Sequence, residues 1–495
     1  MTRLVGWSTL SVLVYCTLRH DGRGLHSTVI HNTPVNAAST FPSINPATGE
    51  VIGEVADCSL TETHQAIKSA KECFATFGTS LAGYRSRLLT DWGDAMTANR
   101  DELANLVSRE MGKPLPEALG EVADASSFLY HVASQIRTGL TGEVLTRGQS
   151  HWRPVNIRQP VGPVFTITPW NIPIAMVTRK AGAAIAAGCS VINAPSEDTP
   201  LTSLYLANLA TQACFPDVIP CSRANKPALG LALCESPDMA ALSFTGSTEV
   251  GKVLIRQCAG TVKRAHLELG GNAPFIVFKS ADLNRAVSAA MVAKFLNAGQ
   301  ACTAANRIFV HESIYPEFAE KLANKISKLR MGNGLEKKVD IGPLVNKRAF
   351  SRVSECVGEI AGTPGVDIIS THPDMDSAFS TPTLVSCGTN TDIPIFSREI
   401  FGPVAALYSF TSEKEVVELA NSTRYGLQAY IFTSELAQAW RVGEKLEYGM
   451  VAVNEGAISS ANNPFGGWKE SGIGREAGHM GVDEFTEDKL ICFGL

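Results

Sequence analysis

The chain is predicted to be an α/β protein with a doubly wound parallel sheet, and three features predict it. Short β-rich runs alternate with helical stretches from Val161 onward. The turn Thr245-Gly246-Ser247 follows one such run and opens a helix, the arrangement of a nucleotide site at the carboxyl end of a strand. At 495 residues and 45% hydrophobic content, the chain has material for two or three packed lobes.

Helical periodicity begins after Ser59, which forms a capping box with Glu62. Ala66, Ile67, Ala70, Cys73, Phe74 and Phe77 recur at helical spacing, as do Leu103, Leu106, Val107 and Met111 before the stop at Gly112. Residues 143–158 are polar, contain Gly148 and Pro154, and alternate like a hairpin that projects from the body. Strands are then expected at 164–167, 190–192 and 241–244, with a further run at 262–267. Helices are expected at 176–187, 201–212 and 248–258, and a second α/β region from near Gly270.

Lys+Arg 43 against Asp+Glu 48 leaves a formal charge of -5 without charge runs, which speaks against nucleic acid as a partner. The twelve cysteines include no CxxC pair, so neither a disulfide framework nor a metal site is expected. Residues 1–40 differ in kind. Arg3, Arg19 and Arg23 occur with no acidic residue before Asp21, beside an apolar stretch at 10–18, and Arg23 to Thr28 resembles a matrix-protease processing site. A mitochondrial targeting segment is expected; the apolar stretch is short for a membrane span.

Several segments could carry chemistry. Gly246, Gly251 and Lys252 have the spacing of a phosphate-binding P-loop, but Val253 stands where the hydroxyl would be needed, so a dinucleotide enzyme is favoured over phosphoryl transfer. Glu268 ends a strand run, and 34 residues later Gly299-Gln300-Ala301-Cys302 places a thiol on a glycine-bearing loop. A carboxylate can take a proton from water and a thiolate can attack carbonyl carbon. The papain-type local pattern is missing around Cys302.

Taken together, Pro169-Trp170-Asn171, Phe244-Thr245-Gly246-Ser247, Glu268-Leu269-Gly270-Gly271-Asn272, Gly299-Gln300-Ala301-Cys302, Glu399-Ile400-Phe401-Gly402-Pro403 and Pro464-Phe465-Gly466-Gly467 occur in the order seen in aldehyde dehydrogenases. The chain resembles that family from about Pro46 to its end. It resembles the succinate-semialdehyde dehydrogenases most, through 176–180, 218–223, 454–460 and the terminal Cys492-Phe493-Gly494-Leu495.

The resemblance implies an aldehyde dehydrogenase-like fold: a probable targeting segment at 1–40, a Rossmann-type nucleotide lobe at 41–142 and 161–269, a catalytic lobe at 270–479, and a small β oligomerisation extension formed by 143–160 and 480–495. It implies Cys302 as nucleophile, Glu268 as general base, Asn171 in the oxyanion site, and Lys180 with Glu476 as a proton relay. Trp170, Gly246, Ser247, Glu399 and Phe401 would hold the nicotinamide cofactor, with Glu197 on the adenosine ribose, favouring NAD over NADP. Arg179 and Ser459 would bind the far end of the substrate. A homodimer or homotetramer and a place in GABA degradation follow from the same resemblance.

Three positions depart from the family. Ala194 replaces a lysine that bonds the adenosine ribose, a loss of roughly ten- to a hundredfold in NAD affinity. The connection between Ala213 and Val218 is shorter than usual. Leu296 replaces one of two arginines that grip a distal carboxylate. A dehydrogenase of uncharged aliphatic aldehydes and a non-catalytic protein of the same fold are therefore the alternatives.

Overall fold

The computed structural model describes residues 39–213, 227–370 and 378–495, with the backbone of four short strands at Leu25–His26, Thr28–Ile30, Thr33–Val35 and Ile219–Pro220. The targeting segment expected at 1–40 lies mostly outside the described residues, as does the shortened connection at 214–218.

The helix Leu60–Phe77 starts with both hydrogen bonds of the Ser59–Glu62 capping box, and Arg100–Met111 stops at left-handed Gly112. The first sheet runs in the spatial order Ile219–Pro220, Val191–Pro195, Val164–Thr168, Ala241–Thr245, Arg264–Glu268 and Gly472–Ile473; the last strand is antiparallel, the others parallel. Its central strands are buried along their whole length, as covering on both faces requires.

A second sheet of seven strands is built around Ala273–Val277 and Ala305–His311 and carries the larger apolar core. Phe275 stacks on Phe432 there with centroids 4.6 Å apart, a pair that contributes about 0.5–1.5 kcal/mol beyond its buried area. A third, antiparallel sheet joins Glu143–Val144, Trp152–Pro160 and the C-terminal Thr486–Gly494. This is the projecting hairpin with its C-terminal partner strand.

The helix expected at 176–187 is interrupted. Pro173–Val177 and Ala183–Ala187 are α-helical, but Thr178–Gly182 between them forms a π-helical turn. Such an insertion widens the helix and re-aims its side chains, and here it carries Arg179 and Lys180, both buried.

Candidate active site

The carboxyl ends of three parallel strands meet at one cleft. Val164–Thr168 leads into Pro169-Trp170-Asn171, Ala241–Thr245 into Gly246-Ser247, and Arg264–Glu268 into Leu269-Gly270. These loops, together with Cys302, Arg352, Glu399 and Phe401, line a cavity of about 160 Å³. A crevice at this end of a doubly wound sheet is where such folds bind nucleotides.

Gly246 donates its backbone N–H to the Glu268 carbonyl at 3.0 Å, and any side chain there would strike the Phe244 ring. Ser247 caps the helix Thr248–Cys258 by accepting from the Val250 N–H at 3.4 Å. The helix thus turns its positive end to the cleft, which suits a pyrophosphate. Trp170 and Phe401 meet edge to face at 5.4 Å, a flat apolar wall for a ring. Glu399 accepts from the Gly271 N–H at 2.9 Å, and burial pushes its carboxyl up to about 7. Glycine turn, helix terminus and aromatic wall together fit a nicotinamide dinucleotide. The P-loop reading fails, because Lys252 is tied to Glu470 at 2.9 Å.

Cys302 follows a run of left-handed backbone at Asn297, Ala298 and Gly299, with φ of 54°, 53° and 71°. The two non-glycine residues are strained by about 1–2 kcal/mol each, and hydrogen bonds hold them there. Asn297 donates through Nδ2 to the carbonyls of Asn171 and Gln300, at 2.9 and 3.2 Å, and its N–H donates to Glu117 at 2.8 Å. Gly271 admits the loop, since a side chain there would overlap the Cys302 carbonyl. Asn171 donates one amide hydrogen to the Gln300 carbonyl at 3.0 Å and lines the cleft, leaving a second amide hydrogen for a ligand. The Cys302 thiol is pushed up to about 12, first by burial and then by the nearby carboxylates Glu399 and Glu268.

Glu268 does not line the cleft beside Cys302. It sits behind it, buried, and neither carboxylate oxygen has a hydrogen-bond partner among the described residues. Burial, with Glu476 adding repulsion, holds its carboxyl well above the ordinary glutamate range. Lys180 bonds Glu476 in a fully buried ion pair and also reaches Ser243 at 3.3 Å. Burial alone would raise Glu476, but the Lys180 ammonium, with Arg179 adding to it, pulls it below the ordinary value.

Arg179 comes from the same π-turn. Its Nη2 donates to Ser459 Oγ at 2.6 Å, and its guanidinium carbon lies over the rings of Phe128 and Phe465, 4.3 and 5.0 Å from their centroids. Leu296, at the end of the helix Leu283–Phe295, is 48% exposed. Glu197 is not brought to the cleft: it lines a separate cavity of about 720 Å³ with Asn45, Asp198 and Asn346. Ala194 is buried in the strand Val191–Pro195.

Among the residues missed from sequence are Arg352, which lines the cleft, and His266 behind it. His266 lies two residues before Glu268 on one strand, so both face the same side. Its Nε2 is 3.8 Å from Glu268 and its Nδ1 is 3.1 Å from Ser243 Oγ. Burial, then Lys180, lowers it to about 3, so it is neutral at physiological pH. Asp124 lies 3.5 Å from Arg179. It belongs to a stripe Glu117, Glu121, Asp124 and Phe128 on the helix Leu115–Gln135, whose 4-3-4 spacing marks a single face. Glu121 accepts from the Ile174 N–H at 2.8 Å and pairs with Lys113.

A thiol on a strained loop, facing a dinucleotide crevice with a buried carboxylate behind it, defines the class: an enzyme that attacks carbonyl carbon through sulfur beside a redox cofactor. The comparisons narrow the class. A model described as the aldehyde dehydrogenase family matches residues 34–491. Mitochondrial succinate-semialdehyde dehydrogenase of Rattus norvegicus is 44% identical over 463 residues, covering 92% of this chain and 88% of the rat protein. The Arabidopsis thaliana protein of the same name is 45% identical over 453 residues, covering 91% and 85%. Among solved structures, succinate-semialdehyde dehydrogenase from Burkholderia pseudomallei is 41% identical with a TM-score of 0.93, covering 95% of this chain and 98% of that one. Betaine aldehyde dehydrogenase from Staphylococcus aureus in complex with NAD+ is 30% identical with a TM-score of 0.91, covering 95% and 94%. The chain belongs to the aldehyde dehydrogenase family and is an oxidoreductase that uses a nicotinamide cofactor.

Proposed function

We propose that this enzyme oxidises succinate semialdehyde to succinate with NAD as hydride acceptor. The observation that carries the substrate is Arg179, a buried guanidinium held by Ser459 and packed on two aromatic rings, a setting in which arginine reads a carboxylate. The names of the relatives agree with it.

In this reading Cys302 gives up its thiol proton to water, its thiolate sulfur adds to the aldehyde carbon, and the oxyanion is met by the free amide hydrogen of Asn171 and the backbone N–H of Cys302. A bound nicotinamide cofactor would supply the hydride acceptor. Trp170, Gly246, Ser247, Glu399 and Phe401 would hold and orient that cofactor. The acyl group remains on Cys302 as a thioester. Glu268 swings from its unpaired position to take a proton from water, whose oxygen attacks the thioester and releases the thiol. The proton passes from Glu268 toward Lys180 and Glu476. Glu268 as base makes water, rather than coenzyme A, the acyl acceptor.

NAD is preferred over NADP on the ground that the Glu197 carboxylate would repel a 2′-phosphate if the adenosine ribose reaches the separate cavity it lines. The nucleotide and catalytic lobes divide at 269/270, and the sheet of 143–160 and 480–495, with exposed Val144, Trp152, Leu490 and Phe493, joins subunits of a homodimer or homotetramer. A mitochondrial location follows from the composition of residues 1–40 and the mitochondrial names of the relatives. No helix of the described residues is long and apolar enough to cross a membrane.

The test is NADH absorbance with purified enzyme, comparing succinate semialdehyde with butanal and NAD with NADP. Succinate semialdehyde with NAD is expected to give the highest kcat/KM. Higher kcat/KM with butanal would favour the reading for uncharged aldehydes, to which Leu296 points.

A further inference from the structure

Arg179 is not an unengaged guanidinium. Its side chain is 3% exposed and its guanidinium carbon lies over the rings of Phe128 and Phe465, so little of it is open to a ligand. Nη2 already serves Ser459 and Asp124, whereas Nε is buried with no hydrogen-bond partner among the described residues. Asp124 itself is 38% exposed and meets Arg179 at 3.5 Å, a loose contact through a single nitrogen. A bidentate pair would use two parallel N–H bonds.

We propose that Asp124 is a specificity-determining residue: it competes, as a tethered carboxylate, with the carboxylate of the substrate for Arg179. This inference rests on the reading of Arg179 as the carboxylate-binding residue. Arg179 can satisfy an incoming carboxylate through Nη2 and the unpartnered Nε, but Asp124 must then give up its contact and turn toward solvent, which its partial exposure permits. The competition weakens binding of a carboxylated aldehyde and leaves an uncharged one untouched. The enzyme is thereby set to discriminate weakly between the two, and a single neutral substitution on the Leu115–Gln135 helix would sharpen it.

The experiment compares steady-state kinetics of the wild-type enzyme, Asp124→Asn and Asp124→Glu with succinate semialdehyde and with butanal. Losing one charged competitor is expected to lower KM for succinate semialdehyde about tenfold relative to KM for butanal in Asp124→Asn. Asp124→Glu, which keeps the charge, should retain the wild-type ratio. An unchanged ratio of kcat/KM values in Asp124→Asn, or a KM for succinate semialdehyde that rises because Asp124 merely orients Arg179, overturns the inference while leaving the proposed activity intact. If all three proteins oxidise butanal but none turns over succinate semialdehyde, the substrate reading and this inference fall together.

Discussion

Arg179 and Lys180 are neighbours on one π-turn, yet the two sides they serve are built differently. On the Lys180 side every charge is enclosed: the ammonium and Glu476 neutralise each other with side-chain exposures of 0% and 2%, and Glu268 waits beside them without a partner. On the Arg179 side the cation is buried but its counter-charge, Asp124, reaches solvent. In the proposed function the first side would move protons and would have to exclude water except the one that reacts. The second must exchange one carboxylate for another, and so stays half open.

The contrast predicts a graded set of effects. The largest falls on the enclosed side. Glu268→Gln should lower kcat by about 10²–10⁴, while the first turnover still releases NADH, because only thioester hydrolysis needs the base. Equal loss of the first turnover and the steady state would break the assignment. In the wild type, kcat should rise with pH as Glu268 ionises, with the midpoint of its acid limb well above 4.5, since burial favours the protonated form. A midpoint at or below 4.5 would show that the carboxyl is solvated.

A middle effect concerns stability. Lys180→Met strands Glu476 as a lone buried charge and should destabilise the fold by about 3–5 kcal/mol, whereas pairing it with Glu476→Leu should recover most of that loss. Denaturant midpoints of the single and double variants test this; equal destabilisation in both would mean the ion pair is not coupled. The smallest effect falls on the open side. Leu296→Arg should raise kcat/KM for succinate semialdehyde by about tenfold or less, without raising that for butanal, by giving the substrate carboxylate a second cation. Equal gains with both aldehydes would sink the carboxylate pocket.

Much of this was legible in the sequence, and the exceptions have physical causes. The Ser59–Glu62 capping box, the stop at Gly112 and the alternation of strands and helices reappear because they follow from local hydrogen bonding and burial. The cleft residues Asn171, Gly246, Cys302, Glu399 and Phe401 were readable because each sits in an ordered motif and the parallel strands bring those motifs together. The π-turn was not, since Met176 to Ala187 has an ordinary helical composition and the widening serves buried charges far away in sequence. His266 could have been found from the two-residue period of its strand, and Asp124 from the 4-3-4 stripe, but both patterns read first as packing faces. Glu197 lies in the expected motif yet lines the neighbouring cavity instead. A motif fixes where the backbone goes before it fixes where a side chain turns.

The bond between Lys180 and Glu476 spans 296 positions of the chain. Glu476 follows the short strand Gly472–Ile473, which returns, after the whole second sheet, to close the edge of the first. During synthesis the ammonium of Lys180 therefore waits through more than half of translation for its counter-ion. The buried pair is therefore assembled last, when the tail emerges, so a nascent or truncated chain carries a thiol at 302 without Glu476 near it.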